Sequence, residues 1–380
     1  MTTALAPPTP DQLTAALSTV IDPEIHRPVT ELGMVKSAEV DAEGVARVSI
    51  YLTISGCPMK DTITERVTTA VGALAGVRRV EVELDVMSTE QRKALQTLLR
   101  GDKPVREIPF ALPGSLTRVF AVASGKGGVG KSSVTVNLAA AMAQQGLSVG
   151  VLDADIYGFS IPRMLGVQFR PTQVESMILP PSAHGVKVIS IGMFTKDNSP
   201  VVWRGPMLHR ALQQFLSDVY WGDLDVLLMD LPPGTGDIAI SVAQLVPNAE
   251  ILVVTTPQLA AQEVAERAGA IALQTHQRIA GVVENMSYLS CPHCDEKIDV
   301  FGSGGGQAVA SSLSHRLGAP VPMLGQIPFD VRLREGGDSG LPLVLSDPDA
   351  LASKALLDIT ASLTGKPRGL AGRSLSLSLA

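Results

Sequence analysis

The stretch Ser124–Ser133, SGKGGVGKSS, constrains this chain more than any other. The apolar run Val119–Ala123 comes directly before it, and a helical pattern directly after. A glycine-rich turn between a strand and a helix can aim several backbone N–H groups at one anion, and the helix adds the positive end of its dipole. Gly125, Gly127, Gly128, Val129 and Gly130 would form that cradle, with Ser133 at its helical end. Lys131 would reach the β- and γ-phosphates of ATP, and the Ser132 hydroxyl would hold Mg²⁺. A turn of this kind needs a buried strand to carry it, which implies a parallel sheet.

The pattern after Arg118 agrees. Near-continuous apolar runs at Val119–Ala123, Ser148–Asp153, Val186–Ile191, Val226–Asp230, Ile251–Thr255, Ile279–Asn285 and Met323–Gln326 alternate with helical spacings. The helical windows fall at about 131–145, 207–217, 237–246, 258–275, 305–317 and 348–364. Strands that are apolar throughout suit a mostly parallel sheet covered by helices on both faces, so the expected fold class is an α/β P-loop NTPase. Residues 11–99 read differently, as a small α+β domain. There, helices at Asp11–Val20, Asp61–Leu74 and Gln91–Arg100 alternate with strands at Val35–Val40, Val45–Ile54 and Val77–Val86. The expected organisation is a flexible start (1–10), the small domain (11–99), a Pro/Gly-rich linker (100–117), the ATPase domain (118–365) and a disordered Ser/Leu tail (366–380).

Charge and composition exclude some functions. A net charge of −6 without a basic face argues against nucleic-acid binding. No run of 18 apolar residues is present to span a membrane. The opening MTTALAPPTP lacks a basic segment followed by an apolar one, so a cytoplasmic location is expected. Three cysteines, Cys57, Cys291 and Cys294, are too few for a disulfide framework and read as metal ligands or reactive thiols.

Two acidic motifs sit at strand ends, where ligands bind in open α/β sheets. One is Leu152–Gly158 (LDADIYG) and the other Asp230–Asp237 (DLPPGTGD). An acidic residue such as Asp230 can hold a Mg²⁺-bound water, and Gly234 allows a backbone N–H close to the γ-phosphate. Strand-terminal aspartates can also simply cap the next helix, most plausibly at Asp153. Asn285 ends a strand, and its carboxamide can pair with adenine. Cys291-Pro292-His293-Cys294 places two thiols at chelating spacing. A shared zinc ion, with His293 as a further ligand, a redox dithiol and a purely structural pair remain open for it. Cys57 precedes a helix starting near Lys60, whose dipole would lower the thiol pKa and favour thiolate.

The second lysine of the loop, Lys126, makes the chain resemble the deviant Walker A ATPases, the group of MinD, ParA and the nitrogenase iron protein. The resemblance implies that Lys126 acts in trans across an ATP-promoted homodimer. It implies switch I at Leu152–Gly158, with Asp155 orienting the attacking water and Asp153 as a second candidate, and switch II at Asp230–Asp237, with Asp230 as the Walker B residue. Asn285 would read adenine, and Pro328 and Asp330 would form the other wall of the base site. SGKGGVGKSS, DADIYG, WRGPM (Trp203–Met207), DLPPGTGD, ENMS and CPHC together resemble the Mrp/ApbC-type iron–sulfur carrier ATPases (the Nbp group). The chain departs from that pattern at Phe159, where proline is expected. Arg204 could touch phosphate or the dimer interface. Asp22-Pro23-Glu24, Glu31–Val35 and Ser55–Pro58 resemble the small iron–sulfur assembly domain, which implies a cluster-handover role for Cys57.

With no second CxxC in the chain, a four-thiolate site needs two chains. A 4Fe–4S cluster bridging the dimer, two ligands from each subunit, satisfies this. The implied function is a slow, switch-like ATP hydrolase that carries a cluster between donors and apo iron–sulfur proteins. A MinD/ParA-like positioning ATPase is the alternative, with an electron-transfer reductase third.

Overall fold

The structure is a computed structural model that describes residues 7–54, 56–100, 107–112, 114–155, 158–194, 205–234, 237–258, 261–294 and 296–365. Most of the expected flexible start, part of the expected linker, and the expected tail after Gly365 lie outside these residues, as do Trp203 and Arg204 of WRGPM.

The chain opens on α1 (Pro10–Ser18), where Thr9 and Gln12 form a reciprocal capping box and Leu13 and Leu17 are buried one turn apart. Strands β1 (Val35–Val40) and β2 (Val45–Leu52) pair antiparallel. Along β2, Ala46, Val48, Ile50 and Leu52 point inward, the period-2 pattern of a half-covered sheet. Helix α2 (Lys60–Gly72) buries Ile63, Val67 and Val71, and then β3 (Arg79–Val86) adds parallel to β2. Helix α3 is Thr89–Arg100.

Past a short turn at Pro109–Ala111, β4 (Arg118–Ala123) feeds the glycine loop and α4 (Lys131–Gln144). Next come β5 (Val149–Asp153) and the short α5 (Ile161–Met164). A hairpin of β6 (Thr172–Val174) and β7 (Met177–Leu179) precedes β8 (Ser182–Ala183) and β9 (Val186–Ser190). The rest runs α6 (Gly205–Ser217), β10 (Val226–Asp230), α7 (Asp237–Leu245), β11 (Glu250–Thr255), α8 (Ala261–Thr275) and β12 (Ile279–Glu284). A small hairpin, β13 (Leu289–Ser290) and β14 (Lys297–Ile298), leads to α9 (Gly305–Leu317) and β15 (Met323–Gln326). The last elements are α10 (Val331–Ser339), α11 (Leu343–Ser346) and α12 (Leu351–Thr364).

The large sheet has strand order β15-β12-β11-β4-β10-β5-β9-β8, parallel except for the antiparallel edge strand β8. This is the expected mostly parallel α/β architecture. β4 is central, and the chain after it runs to either side, so its carboxyl end opens the crevice where such sheets bind ligands. Phe120, Leu228, Leu138, Met142, Leu356 and Ile359 share one core between sheet and helices.

The fold groups into two compact units. The first comprises 1–107 together with 171–181 and 218–222, and the second is the remainder. The β6–β7 hairpin therefore belongs with the first unit, where Val174, Met177 and Leu179 join the core of Leu17, Ile50 and Val67. Among the described residues, no helix is long and apolar enough to cross a membrane.

Candidate functional site

The glycine loop leaves β4 and ends at Gly130, the left-handed N-cap of α4 (φ 76°). Gly128 is also left-handed (φ 80°), a conformation that β-carbons disfavour. Because β10 lies beside β4, the fully buried Asp230 at its end faces the start of α4. Lys131 Nζ lies 2.8 Å from Asp230 Oδ2. The Ser132 hydroxyl donates to the same oxygen at 2.6 Å, and the Thr135 hydroxyl to Oδ1 at 2.9 Å. A buried carboxylate is thus satisfied by one cation and two hydroxyls. Thr135 was missed in the sequence, although its place three residues after Ser132 puts it on the same helical face. The Ser132–Asp230 pair is the hard-oxygen donor set that suits Mg²⁺. A cavity of about 250 Å³ lies over the loop, lined among others by Gly128, Lys131, Ser132, Asp155, Ser160 and Pro233.

The two aspartates expected in switch I, Asp153 and Asp155, have different surroundings. Asp153 is fully buried and serves the backbone: it accepts from the N–H groups of Asp155 (3.2 Å) and Ile161 (3.3 Å) and from the Ser190 hydroxyl (3.1 Å). Burial raises its pKa strongly, and the negative Asp230 raises it further. Asp155 lines the phosphate cavity, and its Oδ1 accepts from Gly158 N–H at 3.1 Å. Gly234 turns left-handed (φ 94°), and its N–H donates to the Ser124 carbonyl at 2.9 Å. The expected γ-phosphate donor is therefore already engaged, because that turn folds it back onto the end of β4.

A second cavity, about 450 Å³, shares Gly130, Ser133, Ser160 and Met164 with the first and continues it. Its walls bring together Asn285, Met286, Pro328, Phe329 and Asp330. The Asn285 amide Nδ2 donates to the Val129 carbonyl at 2.9 Å, while its buried Oδ1 has no hydrogen-bond partner among the described residues. That leaves an acceptor for a ligand's amino group. Asp330 caps α10 by accepting from Arg332 N–H and pairs with the Arg332 guanidinium, so its carboxylate is used locally. The methionines and Phe329 carried no sequence signal beyond hydrophobicity.

A β-carbon on Gly130 would overlap Asn285 Nδ2, and the left-handed φ adds strain. Gly130→Ala is therefore expected to damage the glycine loop and the Asn285 side of the second cavity together. The expected loss is about 1–3 kcal/mol of stability and at least about 100-fold in ADP affinity, checked by thermal unfolding and calorimetric titration.

Lys126 is held within its own chain by a hydrogen bond to the Gln258 side chain, and Arg267 donates to the Gly125 carbonyl at 2.9 Å. Lys126 and Gln258 line a third cavity of about 260 Å³ with Phe301, which meets Phe329 edge-on at 6.4 Å. A second glycine-rich run, Gly302–Gly306, leads into the first turn of α9 but does not form another phosphate cradle. Gly306 N–H donates to the buried Glu284 Oε2 at 2.5 Å, so an internal carboxylate occupies that helix end.

Within the connection from β12 to α9, Cys291 and Cys294 lie in the turn of the β13–β14 hairpin, pinned by the Cys291 N–H donating to Glu296 O (2.9 Å). Cys291 is half-buried and Cys294 exposed. Among the described residues, no group of three or more His, Cys, Asp or Glu side chains is arranged to hold a metal ion.

Cys57 requires a correction. It does precede α2, but its thiol is buried, and burial pushes its pKa up to about 11, with Glu24 and Asp22 adding to the rise. Desolvation exceeds the pull of the helix end, so the thiol is protonated, not thiolate.

The chain is similar to known proteins along most of its length. Residues 115–364 match the family described as NUBPL iron-transfer P-loop NTPase, and residues 10–84 match the iron–sulfur cluster assembly protein family. A Mycobacterium bovis protein named iron–sulfur cluster carrier protein is 69% identical over 362 residues, covering 95% of both chains. One of the same name from Deinococcus radiodurans is 44% identical over 358 residues, covering 94% of this chain and 95% of that one. Among solved structures, a nucleotide-binding protein in complex with ADP from Archaeoglobus fulgidus is 38% identical with a TM-score of 0.51, covering 59% of this chain and 86% of that one.

Proposed function

The chain belongs to the NUBPL iron-transfer P-loop NTPase family, and we propose that it is an ATP-dependent iron–sulfur cluster carrier whose cargo bridges a homodimer. One observation carries the bridging. Two thiols sit at chelating spacing on an accessible hairpin turn, and no third ligand joins them among the described residues. Iron–sulfur clusters of the 4Fe–4S type take four thiolates, so two copies of the turn complete the set. The relatives named as carriers support the cargo.

In this reading ATP lies along the two continuous cavities, with phosphates over Gly128–Ser133 and adenine against Asn285. The Asn285 Oδ1 acceptor favours a 6-amino purine over a 6-oxo one. Ser132 and Asp230 would hold Mg²⁺, which screens the phosphate charge when bound. Asp155 orients a water for in-line attack on the γ-phosphorus, and the bond to the β–γ bridging oxygen breaks to release ADP and phosphate. Lys131 offsets charge on the transferred group, and Lys126 of the second copy adds to it. Hydrolysis is slow and resets the dimer, which receives the cluster from a donor and passes it to apoproteins.

Lys126→Ala is expected to leave nucleotide affinity within about threefold but to lower hydrolysis at least about tenfold. Mixing it with Asp155→Asn should restore part of the activity, because each mixed dimer keeps one intact composite site. No recovery on mixing rejects the in-trans role. The function itself is tested by anaerobic reconstitution followed by iron and labile-sulfide assay, with mass by light scattering. About two iron atoms and two sulfides per chain on a dimer are expected. Iron without sulfide, or cluster on a monomer, overturns the reading.

A further inference from the structure

Residues 171–181 follow, in sequence, the loop that carries Asp155 and the short α5, yet they build the first unit. Val174, Met177 and Leu179 have no exposed surface there. Polar contacts tie the hairpin down: Arg92 pairs with Glu175 at 3.1 Å, Gln96 Nε2 donates to Ser176 Oγ at 2.6 Å, and Ile178 exchanges backbone bonds with Asp218 and Tyr220. At its start, the buried Thr172 hydroxyl donates to Glu24 Oε1 at 2.8 Å. Cys57 is buried in the same core as Val174, Met177 and Leu179, and the charge of Glu24 helps to raise its thiol pKa. Asp22, which adds to that rise, is fixed by accepting from the N–H groups of Glu24 and Ile25. One segment thus runs from the switch I loop to a side chain whose charge acts on the buried thiol. A buried glutamate that loses its hydroxyl partner must find another or move toward water.

We infer that the β6–β7 hairpin is a strap that keeps Cys57 covered, with Thr172 positioning Glu24 beside it, and that ATP binding near Asp155 loosens the strap. This rests on the nucleotide-binding part of the proposed function and not on the cluster. The mechanical basis is short. Asp155 and Ile161 are both hydrogen-bonded to Asp153, so a shift of the Asp155 loop is delivered to α5 and then to Thr172 within few residues.

The test uses the full chain with Cys291→Ala and Cys294→Ala, which leaves Cys57 as its single thiol. N-ethylmaleimide labelling is timed with and without ATP and Mg²⁺, with binding followed in the same samples by a fluorescent ATP analogue. Labelling should be slow without nucleotide and at least about fivefold faster with it. Thr172→Val should label fast in both conditions, and Thr172→Ser should restore the nucleotide dependence. Amide exchange on the chain with native Thr172 covers the case in which Thr172→Val misfolds: the Ile178 and Tyr220 amides should lose protection when ATP binds. ATP that binds without changing either the labelling or the exchange overturns the strap. Failure of ATP to bind overturns the nucleotide reading and the strap with it.

Discussion

Replacing Cys291 and Cys294 together by alanine is expected to remove essentially all iron and labile sulfide from the reconstituted chain, with nucleotide affinity and thermal stability unchanged. The two thiols lie at the turn of a hairpin that is held by its backbone, including the Cys291–Glu296 bond. Neither belongs to a hydrophobic core. Truncation at such a surface turn costs within about 0.5 kcal/mol, so a lost cluster cannot be blamed on a lost fold. Each single variant removes one of two ligands per chain and should lose the cluster nearly as completely. Cys57→Ser is the control and should retain it, because that thiol is buried in the first unit and protonated at neutral pH. If the double variant keeps its cluster, the bridging site is wrong.

Lys131→Ala is expected to lower ATP hydrolysis by about a thousandfold or more and to destabilise the chain measurably. Both effects come from one geometry. Lys131 is 6% exposed and pairs with a fully buried carboxylate. Removing one partner of a buried ion pair usually costs about 3–5 kcal/mol. The hydroxyls of Ser132 and Thr135 still donate to Asp230 in the variant, so roughly 1–3 kcal/mol is the expected loss here. Thermal unfolding and fluorescent nucleotide titration separate the two parts. A variant that melts early but binds and hydrolyses ATP normally would make Lys131 a structural cation only.

The sequence reading was strongest where one physical rule dominated. Strands buried on both faces need continuous apolar residues, and β10, buried at every position, therefore begins and ends where its apolar run does. The glycine loop was legible because phosphate cradling needs specific backbone freedom before a helix. Weak or mixed signals were passed over. Helix α10 carries two poor helix formers: a β-carbon on Gly336 would crowd the Leu341 carbonyl, and one on Gly337 would crowd Met164 of α5. Gln258, which holds Lys126, is remote in sequence, and no periodicity announces a contact across 132 residues. For Cys57 the helix end was visible in the sequence, but the burial that outweighs it was not. The β6–β7 hairpin was invisible for a related reason, since strands of three residues leave no detectable alternation.

That hairpin also bears on how the chain is made. Thr172 meets Glu24 across 148 residues. At a synthesis rate of roughly 5–20 residues per second, Glu24 emerges about 7–30 seconds before its partner Thr172. The first domain to leave the ribosome is thus finished by the second domain's polypeptide, and its apolar socket stays open until then. Residues 171–181, which follow the glycine loop in sequence, therefore complete the core of the amino-terminal unit. A chain released before residue 181 leaves that socket as an adhesive surface.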